Sequence, residues 1–406
     1  MKKKLLLVIT NLLLSFKIVI IWIIIIMNFN LFIDKTNKCY NIKKCIFKRE
    51  KRKFKKRINY TRKEALIKGR NFLNICLKEN LINNIKFKKS KKPIITVIIP
   101  IYNSEPFIKK IIRSIQNQSL LDIEIILVND VSTDNTLKIV EELKNEDPRI
   151  EIINNAKNMG ILYSRCIGVL NSKGKYIVPL DHDDFFFDKD VFEVIYEEAE
   201  KTKFDIISFM DIEIKNLYGN INEMRDGFTT HQPDGLIIKQ PELPYFPFFR
   251  KKRYRYIDVN IWGKIYRIEI YKAAINLLGK ERYSIYNAFN EDQIALFAIC
   301  IVSKSYKYVR KYGIFHTLGH KSALRRAKID HTNKMNIFFT EEIFDLSKNE
   351  NKKYGLFMAL SFKFKNLNED NKLYLRLILK KILKCQYIKK KYKQKLKNKY
   401  KNILIN

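Results

Sequence analysis

The segment Leu180-Asp181-His182-Asp183-Asp184 closes the apolar stretch Tyr176-Ile177-Val178-Pro179-Leu180. Carboxylates crowded where a buried run opens into a loop suit a hard divalent cation, and such cations commonly bridge nucleotide phosphates. Further on, Glu291-Asp292 pairs two carboxylates just before an apolar run. Paired carboxylates can separate their pKa values and so take different roles in proton transfer. Capping of a helix N-terminus explains the same pair, and both roles can hold together. Arg165 lies on a helical stretch after Asn158-x-Gly160. Trp262, preceded by Asn260, offers a face that packs equally well on a sugar or in a core. His316 and His320 are each able to ligate a metal or contact a diphosphate, although a lone histidine is more often structural. No G-x-S-x-G, Walker A or zinc signature points to other chemistry.

These residues need a scaffold, and the hydropathy pattern supplies one. Apolar, β-branched runs at Ile94–Pro100, Ile123–Asn129, Ile150–Ile153 and Tyr176–Leu180 predict strands. Helical spacing fills Glu105–Gln118, Ser132–Lys144 and Leu162–Leu170, with Ser132 or Thr133 as the N-cap of the second. Alternation of this kind predicts a mostly parallel α/β sheet with helices on both faces. Pro100 and Tyr102, Asn129-Asp130, Asn158-x-Gly160 and the 181–184 carboxylates then fall at one end of the sheet, where such folds bind ligands. Asp205–Met210 predicts a further strand. The stretch 211–260 is irregular, with prolines at 233, 241, 244 and 247, as in binding loops and lids.

In this order and spacing, TVIIPIYNSEPFI, DIEIILVNDVSTDNTLKIV, NMGILYSRCIG, GKYIVPLDHDD, VNIWGKIYRIEI and FNEDQIALFAI resemble glycosyltransferase family 2, of GT-A fold, across roughly residues 93–325. The resemblance implies inverting transfer from a nucleotide sugar, with UDP as the expected carrier. It implies that Pro100 and Tyr102 wall the nucleobase, that Asp130 accepts a ring N–H, and that Arg165 faces the nucleotide. Asp181 would touch ribose or metal-bound water, and Asp183 would bind Mg²⁺ or Mn²⁺, with His316 as a further candidate ligand. Asp184 would support the loop. Asp292 would be the general base, Glu291 its neighbour that binds acceptor or orients the loop, and Trp262 part of the acceptor site. Two departures stand out: Val131 replaces a frequent glycine, and His182 replaces a small residue between the aspartates.

Charge locates the rest of the chain. The formal net charge is +37, but residues 34–92 carry 22 Lys and Arg against 4 acids, and residues 372–406 carry 13 against none. The centre, 93–371, is nearly neutral. Residues 5–33 are almost wholly apolar, include IVIIWIIII, and lack a small-x-small cleavage site. They predict an uncleaved, single-pass anchor. Basic residues after it favour a cytoplasmic catalytic domain; the sequon Asn59-Tyr60-Thr61 marks the alternative, a luminal type II arrangement. The expected organisation is an anchor (1–33), a basic stem (34–92), a catalytic domain (93–330) and a basic helical extension (331–406). That extension either lies on a membrane surface or is a solvated helix. The expected partners are a nucleotide-sugar donor, a glycan, lipid or protein acceptor, and the membrane, with no nucleic acid. Competing readings are a transferase acting on a polyprenyl phosphate and, in another class, a non-catalytic binder of nucleic acid or anionic surfaces. The six cysteines form no C-x-x-C pair, so neither a zinc site nor a disulfide framework is expected.

Overall fold

A computed structural model of the chain describes residues 64–72, 74–76, 87–214, 224–227, 232, 234–240, 243–245, 250–251, 254–255, 257–284, 291–318, 375–380, 383 and 390–400. The chain divides into two units, Met1–Ala65 and Leu66–Asn406, and the sheet and crevice belong to the second. The expected anchor, the sequon, most of the stem and His320 lie outside the described residues; among those described, no helix is long and apolar enough to cross a membrane.

The second unit opens on a helix, α1, whose residues 66–72 belong to it. A mixed sheet comes next. Strands β1 (Ile95–Ile101), β2 (Ile123–Asn129), β3 (Ile150–Asn154) and β4 (Tyr176–Pro179) are parallel, in the order β3-β2-β1-β4. They are joined through α2 (Ile108–Gln116), α3 (Thr136–Glu146) and α4 (Ile161–Asn171). β1 and β2 are buried at every position, as expected of strands covered on both faces.

Beyond β4 the direction alternates. β5 (Phe185–Phe186), α5 (Val191–Thr202) and β6 (Ile206–Ile214) lead into short strands: β7 (Arg225–Asp226), β8 (Ile237–Lys239), and the β9 (Arg250–Lys251) and β10 (Tyr254–Arg255) pair. β11 (Lys264–Arg267) inserts antiparallel between β4 and β6. It feeds α6 (Ile268–Leu278), a single turn α7 (Lys280–Tyr283) and α8 (Glu291–Val302). β12 (Ser305–Thr317) runs parallel to β6, with β5 antiparallel on its far side. The basic helix α9 (Lys390–Lys399) closes the described chain.

These directions matter for the site. The start of β11 and the end of β12 come to the same sheet edge as the ends of β1, β2 and β4. α8 is buried from Gln293 to Cys300 and so behaves as a core helix rather than an amphipathic one. It packs with α4 and α6 over Ile98, Ile126 and Val128. Full burial of its Leu296, Phe297 and Ile299 is worth about 1.5–3 kcal/mol per side chain. That fixes the depth at which its first two residues meet the sheet edge.

The expected strands stand where hydropathy put them. The helix starts differ. α2 begins at Ile108 rather than Glu105, because Ser104 is occupied in a turn, where its N–H donates to Thr136 Oγ1 (2.7 Å). α3 begins at Thr136, so neither Ser132 nor Thr133 caps it. Ser132 Oγ instead accepts from Asn103 N (3.1 Å), while Thr133 N donates to Asn103 Oδ1 (2.8 Å). The hydroxyls that resembled caps stitch two sheet-edge loops together.

Candidate active site

The crevice at this edge begins with a gap in the β1–β4 ladder. Leu180 N donates to Ile98 O (3.0 Å), and the next parallel bond would run from the N–H of residue 100. Residue 100 is proline and has none, so pairing ends there. The two chains part just before Tyr102 and Asp181. Tyr102 is 45% exposed, a free aromatic face beside the gap, whereas Pro100 is buried within β1.

Asp130 ends β2 and is almost fully enclosed. Its Oδ1 accepts from Asn155 Nδ2 (2.7 Å) and Met159 N (2.8 Å), and its Oδ2 from Gly160 N (2.8 Å). The carboxylate therefore ties the end of β2 to the entry of α4. Three of about four acceptor sites are taken, leaving one lone pair for any ring N–H. Gly168 lets α4 sit directly on β1, since a Cβ there would come within 2.6 Å of Ile98 Cγ2. One turn earlier, that close approach delivers Arg165 to the crevice floor.

Arg165 is the hub. Its side chain is 1% exposed; Nη1 donates to Asp292 Oδ1 (2.7 Å) and Nη2 to Asp181 Oδ1 (2.9 Å). The two acidic sequence motifs, more than a hundred residues apart, thus share one guanidinium. Its Nε has no hydrogen-bond partner among the described residues. The second oxygen of Asp292 accepts from Ile261 N (3.3 Å).

The electrostatics follow from this crowding. Burial pushes Glu291 up to about 8, and the neighbouring Asp292 charge adds to it, while Arg165 pulls the other way. Burial also raises Asp292; Arg165 opposes this and Asp181 reinforces it. Of the two, Asp292 is the one that pairs directly with the Arg165 guanidinium, which favours its charged form. The pair also sits at the N-terminus of α8, whose dipole favours negative charge.

The 181–184 turn is closed by Asp184 N donating to Asp181 O (3.2 Å). Asp184 is wholly buried, accepts Thr317 N at Oδ1 (2.9 Å), and leaves Oδ2 without a partner among the described residues. Burial, then Asp183 and Asp181, raise its pKa well above the carboxylate range. It anchors the turn to the end of β12. Asp181 and Asp183 are partly exposed, and Asp181 turns toward Arg165. Among the described residues no three His, Cys, Asp or Glu side chains gather as a metal-ligating group. One or two carboxylates, completed by water and substrate phosphates, is nonetheless how Mg²⁺ is usually held. The donors Asp183 and the second oxygen of Asp181 fit that pattern.

His316, on β12, lies against Trp262, with ring centroids 4.8 Å apart. Trp262 is 3% exposed, so its face is turned mostly toward the histidine and the interior. The expected site residues thus share one sheet edge, and Arg165 joins three of the motifs directly. Sequence reasoning did not find Ile261, whose main chain meets Asp292, nor Asn155, Thr317, Lys264 and Tyr266. The available signal was the polar pair Lys264 and Tyr266 inside an otherwise apolar run.

Known proteins resemble this chain in sequence and in fold. Residues 96–274 match the sequence profile described as Glycosyl transferase family 2. EpsJ of Bacillus subtilis, described as an uncharacterized glycosyltransferase, is 32% identical over 201 residues, covering 49% of this chain and 55% of that one. A cholesterol galactosyltransferase of Borreliella burgdorferi is 27% identical over 66% of this chain and 75% of its own. The chain spans about half the length, or less, of several curated relatives it matches. Crystal structures of S. aureus TarS 1–349 share the fold. The complex with UDP-GlcNAc superposes with a TM-score of 0.54 at 17% identity, over 76% of this chain and 88% of that one. Residues 96–274 of the chain are thus similar to glycosyltransferase family 2, and the fold is mixed α/β and GT-A-like.

Proposed function

We propose that this protein is a membrane-anchored, inverting glycosyltransferase that moves a sugar from a UDP-linked donor to an acceptor hydroxyl. The observation that carries the reading is Arg165, which binds Asp181 of the donor-side carboxylate turn and Asp292 of the acceptor-side pair at once. UDP-GlcNAc bound to the similarly folded TarS supports a nucleotide-sugar donor. The name of the Borreliella relative, a cholesterol galactosyltransferase, supports a hydroxyl-bearing lipid among the acceptors worth testing.

Each residue then has a task. Tyr102 stacks on the nucleobase, and Asp130 offers its remaining lone pair. Asp183 and Asp181, with His316 as a further candidate, would hold Mg²⁺ or Mn²⁺, which supplies charge neutralisation for a departing diphosphate. Asp292 takes the proton of the acceptor hydroxyl as its oxygen bonds to the sugar's anomeric carbon from the face opposite the leaving group. The bond from that carbon to the diphosphate oxygen breaks, and its electron pair leaves with UDP. Arg165 opposes the burial that raises Asp292 and so favours the charged form that a base needs. Glu291 keeps its own proton and orients the acceptor or the loop.

The test is nucleotide release by the full-length chain from a panel of UDP- and GDP-sugars with Mn²⁺, beside Asp183→Asn and Asp292→Asn. The expected result is UDP release lost in both variants, with UDP binding retained in Asp292→Asn. Absence of release and of nucleotide binding across the panel would refute the assignment. A polyprenyl phosphate acceptor, already ionised, would instead leave transfer insensitive to Asp292→Asn.

A further inference from the structure

We propose that Lys264 is a positioning residue for the transfer step, aiming Asp292 through a single peptide unit. The inference rests on the reading of Asp292 as the base. Lys264 is 0% exposed on β11, where lysine is seldom found without a counter-charge. It forms no ion pair among the described residues. Its Nζ donates to two main-chain carbonyls, Asn260 O and Trp262 O (3.4 Å). Two residues on, and on the same face of the strand, Tyr266 Oη donates to Ile261 O (2.9 Å). Three consecutive carbonyls are thus turned inward onto buried side chains. Gly263, with φ +68°, makes the turn that allows it.

The consequence lies in peptide geometry. Asn260 C=O and Ile261 N–H belong to one planar trans peptide, so they point in opposite directions. Lys264 holds the carbonyl, and the N–H of the same unit is thereby directed at Asp292 Oδ2. The ammonium also polarises that peptide and strengthens its donor. Arg165 holds the other oxygen of Asp292, so the carboxylate is fixed from both sides. An apolar side chain could fill the same space without the desolvation of an ammonium. It could not orient the peptide. Trp262 belongs to the same loop, so its contact with His316 is set by the same two donors.

The experiment uses the full-length chain, the UDP-sugar selected by the panel, and Mn²⁺. It measures the turnover of UDP release, the Kd of UDP, and the melting temperature. Lys264→Met is expected to lower turnover about 10- to 100-fold, the scale of a slightly misplaced catalytic group, with the UDP Kd within about threefold of wild type. Should Lys264→Met fail to fold, Tyr266→Phe carries the test. Removing that one hydroxyl is expected to lower turnover by a smaller factor at unchanged UDP affinity. Turnover unchanged in either folded variant, or lost in parallel with UDP affinity, overturns the proposal. Asp292→Asn separates the two levels. If it abolishes release while the Lys264 and Tyr266 variants keep theirs, only this inference fails; if it retains release, the base assignment fails and takes the inference with it.

Discussion

The two ends of this sheet each bury an arginine against aspartate, and they use it differently. At the amino ends of the strands, Arg149 and Asp147 are both wholly buried. Arg149 donates Nε and Nη2 to the two oxygens of Asp147 (2.9 and 2.8 Å) and Nη1 to Leu121 O (3.0 Å), with the Phe87 ring 3.9 Å from the guanidinium carbon. Gln116 Nε2 also donates to Asp147 (3.2 Å). Charge is matched one to one, and the fork is filled. At the carboxyl ends, one guanidinium faces Asp292, Asp181 and the Glu291 behind them. Its Nε is unpartnered among the described residues, and the pKa values of Glu291 and Asp292 are raised. The first arrangement is what stability alone produces. The second keeps unmet demand for positive charge, which a bound cation can supply, and an open donor in Arg165 Nε, which a ligand can fill.

The largest effects test this contrast directly. Arg149→Met leaves Asp147 buried without its counter-charge and is expected to remove about 3–5 kcal/mol of stability. Denaturant unfolding would read it, while the UDP affinity of the folded fraction stays at the wild-type value. Arg165→Lys should reverse the pattern. A lysine is a single point donor and cannot hold Asp181 and Asp292 in one fork. UDP release is expected to fall by about 10- to 100-fold, with a smaller stability change than Arg149→Met. Equal behaviour of the two variants would break the distinction.

Much of the half built on β1 to β4 was legible in sequence, and the reason is physical. Apolar runs rich in β-branched residues, such as Ile123–Val128, fit a parallel sheet covered on both faces, so the sheet type and the site edge follow, though not the strand order. The half built on β11, α8 and β12 was harder. β12 alternates Lys307, Arg310 and Lys311 with aromatic residues and takes charged side chains into partly buried ion pairs, Lys307 with Glu198 and Lys311 with Asp190. Hydropathy therefore hides a thirteen-residue strand. β11 carries Lys264 in a fully buried position, which a hydropathy pattern reads as surface. The hub itself was invisible as a contact. Arg165 and the two acidic motifs could be named one by one, but one guanidinium meeting Asp181 and Asp292 requires the packing of α4 against α8.

A third prediction uses pH. Glu291 has a folded pKa near 8 against an ordinary value of 4.5. A carboxyl raised in the folded state costs stability wherever the unfolded chain has released its proton and the folded one has not. Stability should therefore decline as pH rises from about 4.5 to about 8, then level off. Glu291→Gln should flatten that decline and raise the melting temperature at pH 8 more than at pH 5. A wild-type curve that is flat across this window, or one that Glu291→Gln leaves unchanged, would show that the site end is not electrostatically crowded.

The smallest effect concerns backbone strain, which also gathers at the site end. Of the three described non-glycine residues with positive φ, Asn103 (φ 50°) and Val131 (φ 64°) lie in the stitched loops beside Tyr102 and Asp130. Asparagine tolerates that region; a β-branched valine does not. The loop holds it there because Asn129 Oδ1 accepts Ser132 N (3.1 Å), and Ser132 and Thr133 are bonded to Asn103 on the facing loop. Val131 is 39% exposed, so its side chain contributes little packing to offset the strain. Left-handed backbone costs a side-chain-bearing residue roughly 1–2 kcal/mol. Glycine removes that cost but adds about 0.5–1 kcal/mol of unfolded-state entropy. Val131→Gly is thus expected to stabilise the fold by up to about 1 kcal/mol, read as a small rise in melting temperature. If UDP affinity falls at the same time, the valine serves the nucleobase edge beside Tyr102, and its strain belongs to binding. If affinity is unchanged, the strain is incidental to the loop stitching, and strain can no longer be used to tell the working end of the sheet from the resting one.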